Sequence, residues 1–160
     1  MAATTLVTQE QYERMVFEHD AEFVEGRVVE RPMPTPQHAR MQGFLVRVLH
    51  LLLGFEALPE LRLRTRLDRT RVPDVCLIGA IPNDSPTTTA PYLCVEILSP
   101  EDRMVEVLTK VSEYLDMGVQ FVWIVDPVSF TGEIRTRERI KVVTDGMFRA
   151  DGIAIDIRNV

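Results

Sequence analysis

The chain has 160 residues, which predicts a single domain over residues 1–160 with a core of ordinary size. Its 46% apolar and 26% charged residues are typical of a soluble globular protein. The net charge of −6 argues against indiscriminate nucleic-acid binding through bulk charge, but it leaves room for a local basic surface.

The sequence contains no apolar run near the ~20 residues that a membrane-spanning helix needs. Its first residues, MAATTLVTQEQYERM, lack the basic-then-apolar order of a signal peptide. Together these features predict a cytoplasmic protein with no membrane partner. Cys76 and Cys94 fall in predicted core strands without metal-type spacing, which favours buried, reduced thiols.

The N-terminal part of the chain predicts a short helix followed by a hairpin. Residues 8–18 are typical of a helix whose start is a capping box formed by Thr8 and Gln11. The stretch AEFVEGRVVERP then predicts two strands that turn near Glu25 and Gly26.

A longer helix and an alternating strand come next. Apolar residues recur at helical spacing from His38 to Leu53, which predicts an amphipathic helix ended by Gly54. LRLRTRL, residues 61–67, alternates strictly and predicts the first core strand. One face of that strand is apolar, and the other carries Arg62, Arg64 and Arg66.

Three apolar segments predict the rest of the core: RVPDVCLIG (71–79), YLCVEILS (92–99) and VQFVWIVDP (119–127). A helix from Pro100 to Met117, closed by Gly118, separates the last two, so we expect them to form a parallel pair. The tail from residue 131 predicts antiparallel strands joined at 145–146 and 151–152. The predicted fold is therefore mixed α/β (α+β): a mixed central sheet flanked by helices, with extra N- and C-terminal hairpins.

Two carboxylates lie inside these apolar strands, Asp74 in the second and Glu96 in the third. If the strands pair, the carboxylates can point to one side, where they repel unless something neutralises them. A hard divalent cation, Mg²⁺ or Mn²⁺, would be the most economical neutraliser. Alternatively, Asp74 caps a turn after Pro73 and Glu96 pairs with an arginine.

Lys110 is the third candidate. On a helical wheel it falls at the edge of the apolar arc of the 100–117 helix, from which its ammonium group could reach Glu96. Alternatively it forms an ordinary surface pair with Glu106, four residues earlier.

The segments PDV, VEILSP and the lysine-bearing helix before YLDMGVQFVWIVDP, with FVEGRVVERPMPTPQHARMQGFL upstream, resemble the large bacterial Uma2 family of restriction-type endonucleases. That family belongs to the PD-(D/E)XK nuclease superfamily. The resemblance extends from about residue 8 to 128 and implies a restriction-endonuclease-like core.

The resemblance also implies roles for individual residues. Asp74 matches the motif aspartate and Glu96 the motif acidic residue, and with the Ile97 carbonyl they would hold Mg²⁺ or Mn²⁺. The motif lysine is expected two residues after Glu96, where this chain has Leu98. Lys110 matches the lysine on the following helix that is thought to substitute for it. Asp74, Glu96 and Lys110 are therefore the predicted catalytic residues.

Weaker site candidates are Glu25 and His38, which match positions where the family carries the same residue types. The substrate implied is nucleic acid, in particular DNA, and cutting two strands would favour a homodimer. Phosphate contacts are predicted for Arg62, Arg64 and Arg66, although a solvated sheet edge explains these arginines equally well. The alternative function is an inactive nuclease-fold module that binds nucleic acid or a protein partner.

Overall fold

The computed structural model describes residues 6–160, and within them the chain forms three sheets and three α-helices. No helix in this part of the chain is both long and apolar enough to cross a membrane. In chain order the elements are α1 (Gln9–Arg14), β1 (Ala21–Val24), β2 (Arg27–Glu30), α2 (Pro36–Leu49), β3 (Glu56–Pro59), β4 (Leu63–Arg66), β5 (Arg69–Arg71), β6 (Val75–Ile78), β7 (Leu93–Ile97), α3 (Met104–Met117), β8 (Phe121–Asp126), β9 (Thr131–Arg135), β10 (Ile140–Val143), β11 (Met147–Ala150), β12 (Ile153–Asp156) and a final 3₁₀ turn (Ile157–Asn159).

The central sheet has six strands in the order β10-β9-β8-β7-β6-β3. Strands β7 and β8 are parallel and are connected through α3, whereas the other neighbours in this sheet are antiparallel. A helix is the usual connection between parallel neighbours, because the chain must return to the same end of the sheet. The predicted mixed α+β architecture is therefore confirmed.

Two smaller sheets accompany the central one. The N-terminal hairpin β1–β2 joins β5 and β4 in a four-stranded antiparallel sheet, and β11 pairs with β12 in a C-terminal hairpin. The predicted N-terminal hairpin and the C-terminal hairpin that turns at 151–152 are present, but the predicted pairing across 145–146 is wrong, because β10 and β11 lie in different sheets. The N-terminal hairpin turns at Glu25 and Gly26, which have positive φ angles of 51° and 82°.

The strand predicted for residues 61–67 forms, but its predicted place in the central sheet is wrong. Segment 61–67 supplies β4 of the four-stranded sheet, and β3 takes the expected edge position beside β6. The alternation of 61–67 also breaks, because the pairing register shifts between Arg64 and Arg66, and Leu67 is 92% exposed. Sequence EALP of β3 has neither strict alternation nor a long apolar run, so it carries little strand signal.

The predicted strand 71–79 is in fact two strands in different sheets. Strand β5 ends at Arg71, and β6 begins at Val75 in the central sheet. Pro73 lies between them, and proline has no N–H group with which to continue a ladder. Asp74 is therefore the residue at which the chain passes from one sheet to the other.

Three helix boundaries also differ from the predictions. The capping box at Thr8 is present, but α1 ends at Arg14. Helix α2 begins at Pro36 and ends at Leu49, four residues before the predicted end. Helix α3 begins at Met104, because Ser99–Asp102 form a turn in which the Asp102 side chain accepts a 2.6 Å hydrogen bond from the Ser99 N–H.

The central sheet separates two hydrophobic layers. On one face, α2 and the C-terminal hairpin pack against Val95, Trp123 and their neighbours. On the other face, α3 packs against Cys76, Cys94 and Ile124. The two cysteines are fully buried and free, with their sulfur atoms 3.9 Å apart, as the sequence predicted.

Candidate active site

Asp74 lies immediately before β6, and Glu96 lies near the end of the neighbouring strand β7. The antiparallel register pairs Val75 with Val95, and the Asp74 N–H donates to the Val95 carbonyl at 3.0 Å. Asp74 therefore lies just outside the paired residues, beside the end of β7 that carries Glu96, and both side chains line one cavity. Asp74 is 2% exposed and Glu96 is 6% exposed.

Three donors surround the Asp74 carboxylate. Its Oδ2 accepts a 2.7 Å hydrogen bond from the Ile97 N–H, and its Oδ1 contacts Arg31 and lies 3.2 Å from His38 Nε2. Burial alone would raise the pKa of Asp74. The hydrogen bond from His38, the positive charge of Arg31 and the Ile97 N–H outweigh it and lower that pKa.

Arg31 was missed by the sequence analysis, whereas His38 was a candidate. Arg31 follows β2 directly and also lies 3.3 Å from the exposed carboxylate of Glu60. His38 lies in the first turn of α2, where its backbone N–H donates a 3.2 Å hydrogen bond to the hydroxyl group of the N-cap residue Thr35. The end of the hairpin and the start of α2 thus both converge on Asp74. No local sequence pattern distinguishes Arg31 from the other arginines.

The Glu96 carboxylate is held less completely. Its Oε1 accepts a 2.6 Å hydrogen bond from the Tyr114 hydroxyl, and its Oε2 lies 3.8 Å from Lys110 Nζ, beyond hydrogen-bond distance. Burial raises the pKa of Glu96 to about 7, because the charges of Lys110 and the Tyr114 hydrogen bond only partly compensate for lost hydration. Ionised Glu96 is therefore stabilised by any further cation that enters the site.

Lys110 reaches the site from α3, but its nearer partner is Glu22. The Nζ atom lies 3.1 Å from Glu22 Oε1, and two carboxylates raise the pKa of Lys110 although burial opposes this. The alternative pairing with Glu106 does not form, since Glu106 lies 3.5 Å from Arg103 instead. The lysine is 21% exposed, so its ammonium group is fixed by protein groups at the edge of an open space.

Glu22 was also missed by the sequence analysis. It lies in β1, is 2% exposed and accepts from the Val72 N–H at 3.2 Å and from Arg71 at 2.9 Å. A signal for it existed. Like Glu96, Glu22 is a lone carboxylate in the segment AEFV, and such a residue needs a partner when buried.

A chain of ion pairs continues from Glu22 into the four-stranded sheet. Arg71 donates to both Glu22 and Glu113, and Arg69 joins Glu113 to Glu25. Glu25 lines the same cavity, but its ion pair is with Arg69 and not with a residue beside Asp74 or Glu96, and its side chain is 65% exposed in the hairpin turn. Its direct partner is Arg69, in contrast to the close contact of His38 with Asp74.

The three arginines predicted to contact phosphate are engaged within the protein. Arg62 pairs with Asp20, Arg64 with Glu13 and Arg66 with Asp116. Arg62 also lies over the rings of Tyr12 and Phe17.

The site opens into a cavity of about 770 Å³, here called the acidic cavity. The lining of the acidic cavity contains four basic residues, Arg31, Arg69, Arg71 and Lys110, and eleven acidic ones, Glu18, Asp20, Glu22, Glu25, Glu30, Glu60, Asp74, Glu96, Glu101, Asp102 and Glu106. Because acidic residues predominate, a phosphate backbone that enters the cavity is repelled unless a cation lies between them.

The donor set fits Mg²⁺ or Mn²⁺ better than a metal that needs a full protein cage. Among residues 6–160, no three His, Cys, Asp or Glu side chains are grouped to hold a metal ion. Mg²⁺ typically binds through one or two carboxylates and keeps several waters or substrate oxygens. Asp74 and Glu96 supply that number of carboxylates, and Ile97 lies beside them on the cavity wall.

Comparisons with known proteins agree with this fold. A profile of the Uma2 family, described as "Putative restriction endonuclease", matches residues 9–147. A crystal structure of a putative nuclease belonging to DUF820 from Anabaena variabilis ATCC 29413 superimposes with a TM-score of 0.82 at 24% identity, covering 96% of each chain. Among curated proteins there is no match.

Proposed function

Because the chain belongs to the Uma2 family of putative restriction endonucleases, we propose that it hydrolyses nucleic-acid phosphodiester bonds in the acidic cavity. Asp74, Glu96 and the Ile97 carbonyl would hold Mg²⁺ or Mn²⁺. The observation that carries the proposal is the convergence of two buried carboxylates and one lysine at a single cavity wall.

A cation bound there would polarise the scissile phosphate and lower the pKa of a bound water. Asp74 is kept ionised by His38, Arg31 and the Ile97 N–H, so it presents a fixed negative charge. Tyr114 orients Glu96 from behind through Oε1 and leaves Oε2 toward Lys110. Both carboxylates are therefore placed before substrate arrives, as preorganised sites require.

Lys110 acts as a proton donor in hydrogen bonds rather than as a base. Its pKa is raised by Glu96 and Glu22, so the ammonium form persists at neutral pH. A fixed ammonium group can orient the attacking water or stabilise charge that develops on the phosphate. Glu22 holds this group in place from the four-stranded sheet.

The test is a cleavage assay with DNA and RNA, with Mg²⁺ or Mn²⁺ and with chelator. We expect metal-dependent cutting by the wild type, with loss of roughly 10²-fold or more in Asp74→Asn, Glu96→Gln and Lys110→Ala, as for other groups that stabilise transition-state charge. Glu101→Gln is the matched control, because Glu101 lines the same cavity but is exposed. Equal cutting by Lys110→Ala and wild type would overturn the role of Lys110.

A second candidate is a non-cutting module that binds nucleic acid or a protein partner. Two observations favour it: Leu98 stands where the motif lysine is expected, and Arg31 and His38 already occupy Asp74 Oδ1. Binding without cleavage of any substrate, in both metals, would support this candidate over the first.

DNA as the preferred substrate and a homodimer are part of the proposal, since cutting both strands calls for two sites. Sedimentation velocity with and without duplex DNA would measure the oligomeric state. The single domain over residues 1–160 and the cytoplasmic location stay predictions.

A further inference from the structure

Most cations of this protein are matched by its own carboxylates. The sequence has 18 Lys and Arg residues, all within the described residues 6–160. Ten of them lie within 4.0 Å of an Asp or Glu carboxylate oxygen, which leaves eight without such a partner, here called unmatched: Arg14, Arg27, Arg40, Arg47, Arg137, Arg139, Lys141 and Arg149.

Four of the eight unmatched cations line one groove of about 590 Å³, here called the basic groove: Arg137, Arg139, Lys141 and Arg149. All four are exposed. The groove also contains two carboxylates, Glu138 and Asp151, but neither approaches a cation closely enough to pair with it. A positive surface thus persists on a protein whose net charge is −6.

The floor of the groove is formed in part by buried side chains. Its floor includes Phe121 and the buried residues Val119, Ile134 and Ala150. Arg137 is fixed at its side, since its guanidinium donates to the Leu115 carbonyl at 3.2 Å at the end of α3. Lys141 lies in β10 of the central sheet, Arg137 and Arg139 lie in the connection between β9 and β10, and Arg149 lies in β11, so all four cations are carried by strands or by the short link between two strands.

The groove and the acidic cavity are separate sites. Phe121, which lines the groove, pairs with Leu93 at the start of β7. Leu93 is three residues before Glu96, a distance of roughly 10 Å along that strand. Lys141 pairs with Ile134, which pairs with Trp123, so alternation places it on the face opposite Glu96. One phosphate group cannot contact both places.

We propose that the basic groove binds backbone phosphates of a nucleic acid, at positions other than the bond in the acidic cavity. This rests on the proposed function for the identity of the ligand. The chemistry is that of several unmatched guanidinium and ammonium groups, which neutralise phosphates and release counterions. A cavity lined mainly by carboxylates needs such an attraction elsewhere if the protein is to hold a polyanion.

The test is equilibrium binding of a labelled DNA duplex in EDTA, so that cleavage plays no part. The variant Arg139→Ala/Lys141→Ala/Arg149→Ala removes three groove cations, and Arg14→Ala/Arg27→Ala/Arg47→Ala removes three exposed, unmatched cations elsewhere. Both carry the same net charge. We expect the groove variant to raise the Kd roughly tenfold or more and to reduce the slope of log K against log salt by ~3, about 1 per phosphate contact.

Equal loss of affinity in the two triple variants, no loss in either, or no DNA binding by the wild type would overturn the proposal. A second arm adds inorganic phosphate or a mononucleotide at matched ionic strength. If either displaces the duplex at concentrations near its phosphate content, the groove binds free phosphate and the proposal fails. A groove-specific loss in a protein that never cuts would support the groove while overturning the nuclease.

Discussion

At one end of the central sheet the acidic cavity buries its charged groups among partners, while at the other end the basic groove leaves its cations in water. Arg71 is 7% exposed and bonds to two carboxylates. Arg139 is exposed and pairs with none. A buried charge is fixed in position, but the stability of the folded protein then depends on each of its ion-pair partners. Exposure leaves a charge free to bind an outside anion at little cost to stability.

The largest effect should come from breaking the buried chain of ion pairs. Arg71→Met leaves Glu22 and Glu113 buried without their shared partner, and removing one member of such a set costs about 3–5 kcal/mol. Urea unfolding would measure this loss. Adding Glu113→Gln should restore part of it, and a loss below about 1 kcal/mol would contradict the dependence described above.

A smaller effect is expected from metal at the cavity. In the wild type, Mn²⁺ at 100-fold over its Kd should stabilise the fold by about 2.7 kcal/mol, seen as a rise in Tm of several degrees. Glu96→Gln removes one of two neighbouring carboxylates, so the metal-free variant should be as stable as the wild type or more so. The variant should lose the Mn²⁺ shift. An equal shift in both proteins would place the metal elsewhere.

Glu22 provides a finer test of how the cavity fixes Lys110. Glu22→Gln keeps the shape but removes the charge 3.1 Å from Nζ, so kcat should fall by roughly tenfold, or ~1.4 kcal/mol, with KM nearly unchanged. A merely structural role would instead lower the amount of folded enzyme without changing kcat per folded molecule. Active-site titration together with the melting curve would separate these outcomes.

The smallest effect should come from the groove itself. Arg149→Ala and Lys141→Ala should each change the free energy of unfolding by less than about 0.5 kcal/mol, because exposed unpaired charges contribute little. The same urea titration used for Arg71→Met would measure both. A loss as large as that of Arg71→Met would mean that the groove cations support the fold.

Those candidate site residues that stand out from their neighbours along the chain could be predicted from the sequence. Asp74 and Glu96 interrupt apolar strands, a signal that depends only on neighbours along the chain. Lys110 lies at the edge of an apolar helix arc, where an ordinary surface pair was also open, and the family resemblance made it a catalytic candidate. The structure brings all three to one cavity wall.

The partners of these residues could not be predicted in the same way. Arg31 and Glu22 reach the site because the four-stranded sheet packs beside the central sheet, and the pattern of 71–79 suggested a single strand where the chain changes sheets. Similarly, alternation predicted that Arg62, Arg64 and Arg66 share a face, but the register shifts between Arg64 and Arg66. Alternation could not show that Asp20 lies within reach of Arg62.

Strand β10 carries Lys141 at the free edge of the central sheet, between Ile140 and Val142, which are 60% and 65% exposed. An apolar edge strand with unpaired N–H and C=O groups invites the edge of another molecule, and a charged side chain in its middle discourages that contact. The lysine of the groove thus also protects against aggregation. Replacement of Lys141 by an apolar residue is expected to lower the protein concentration at which aggregation begins.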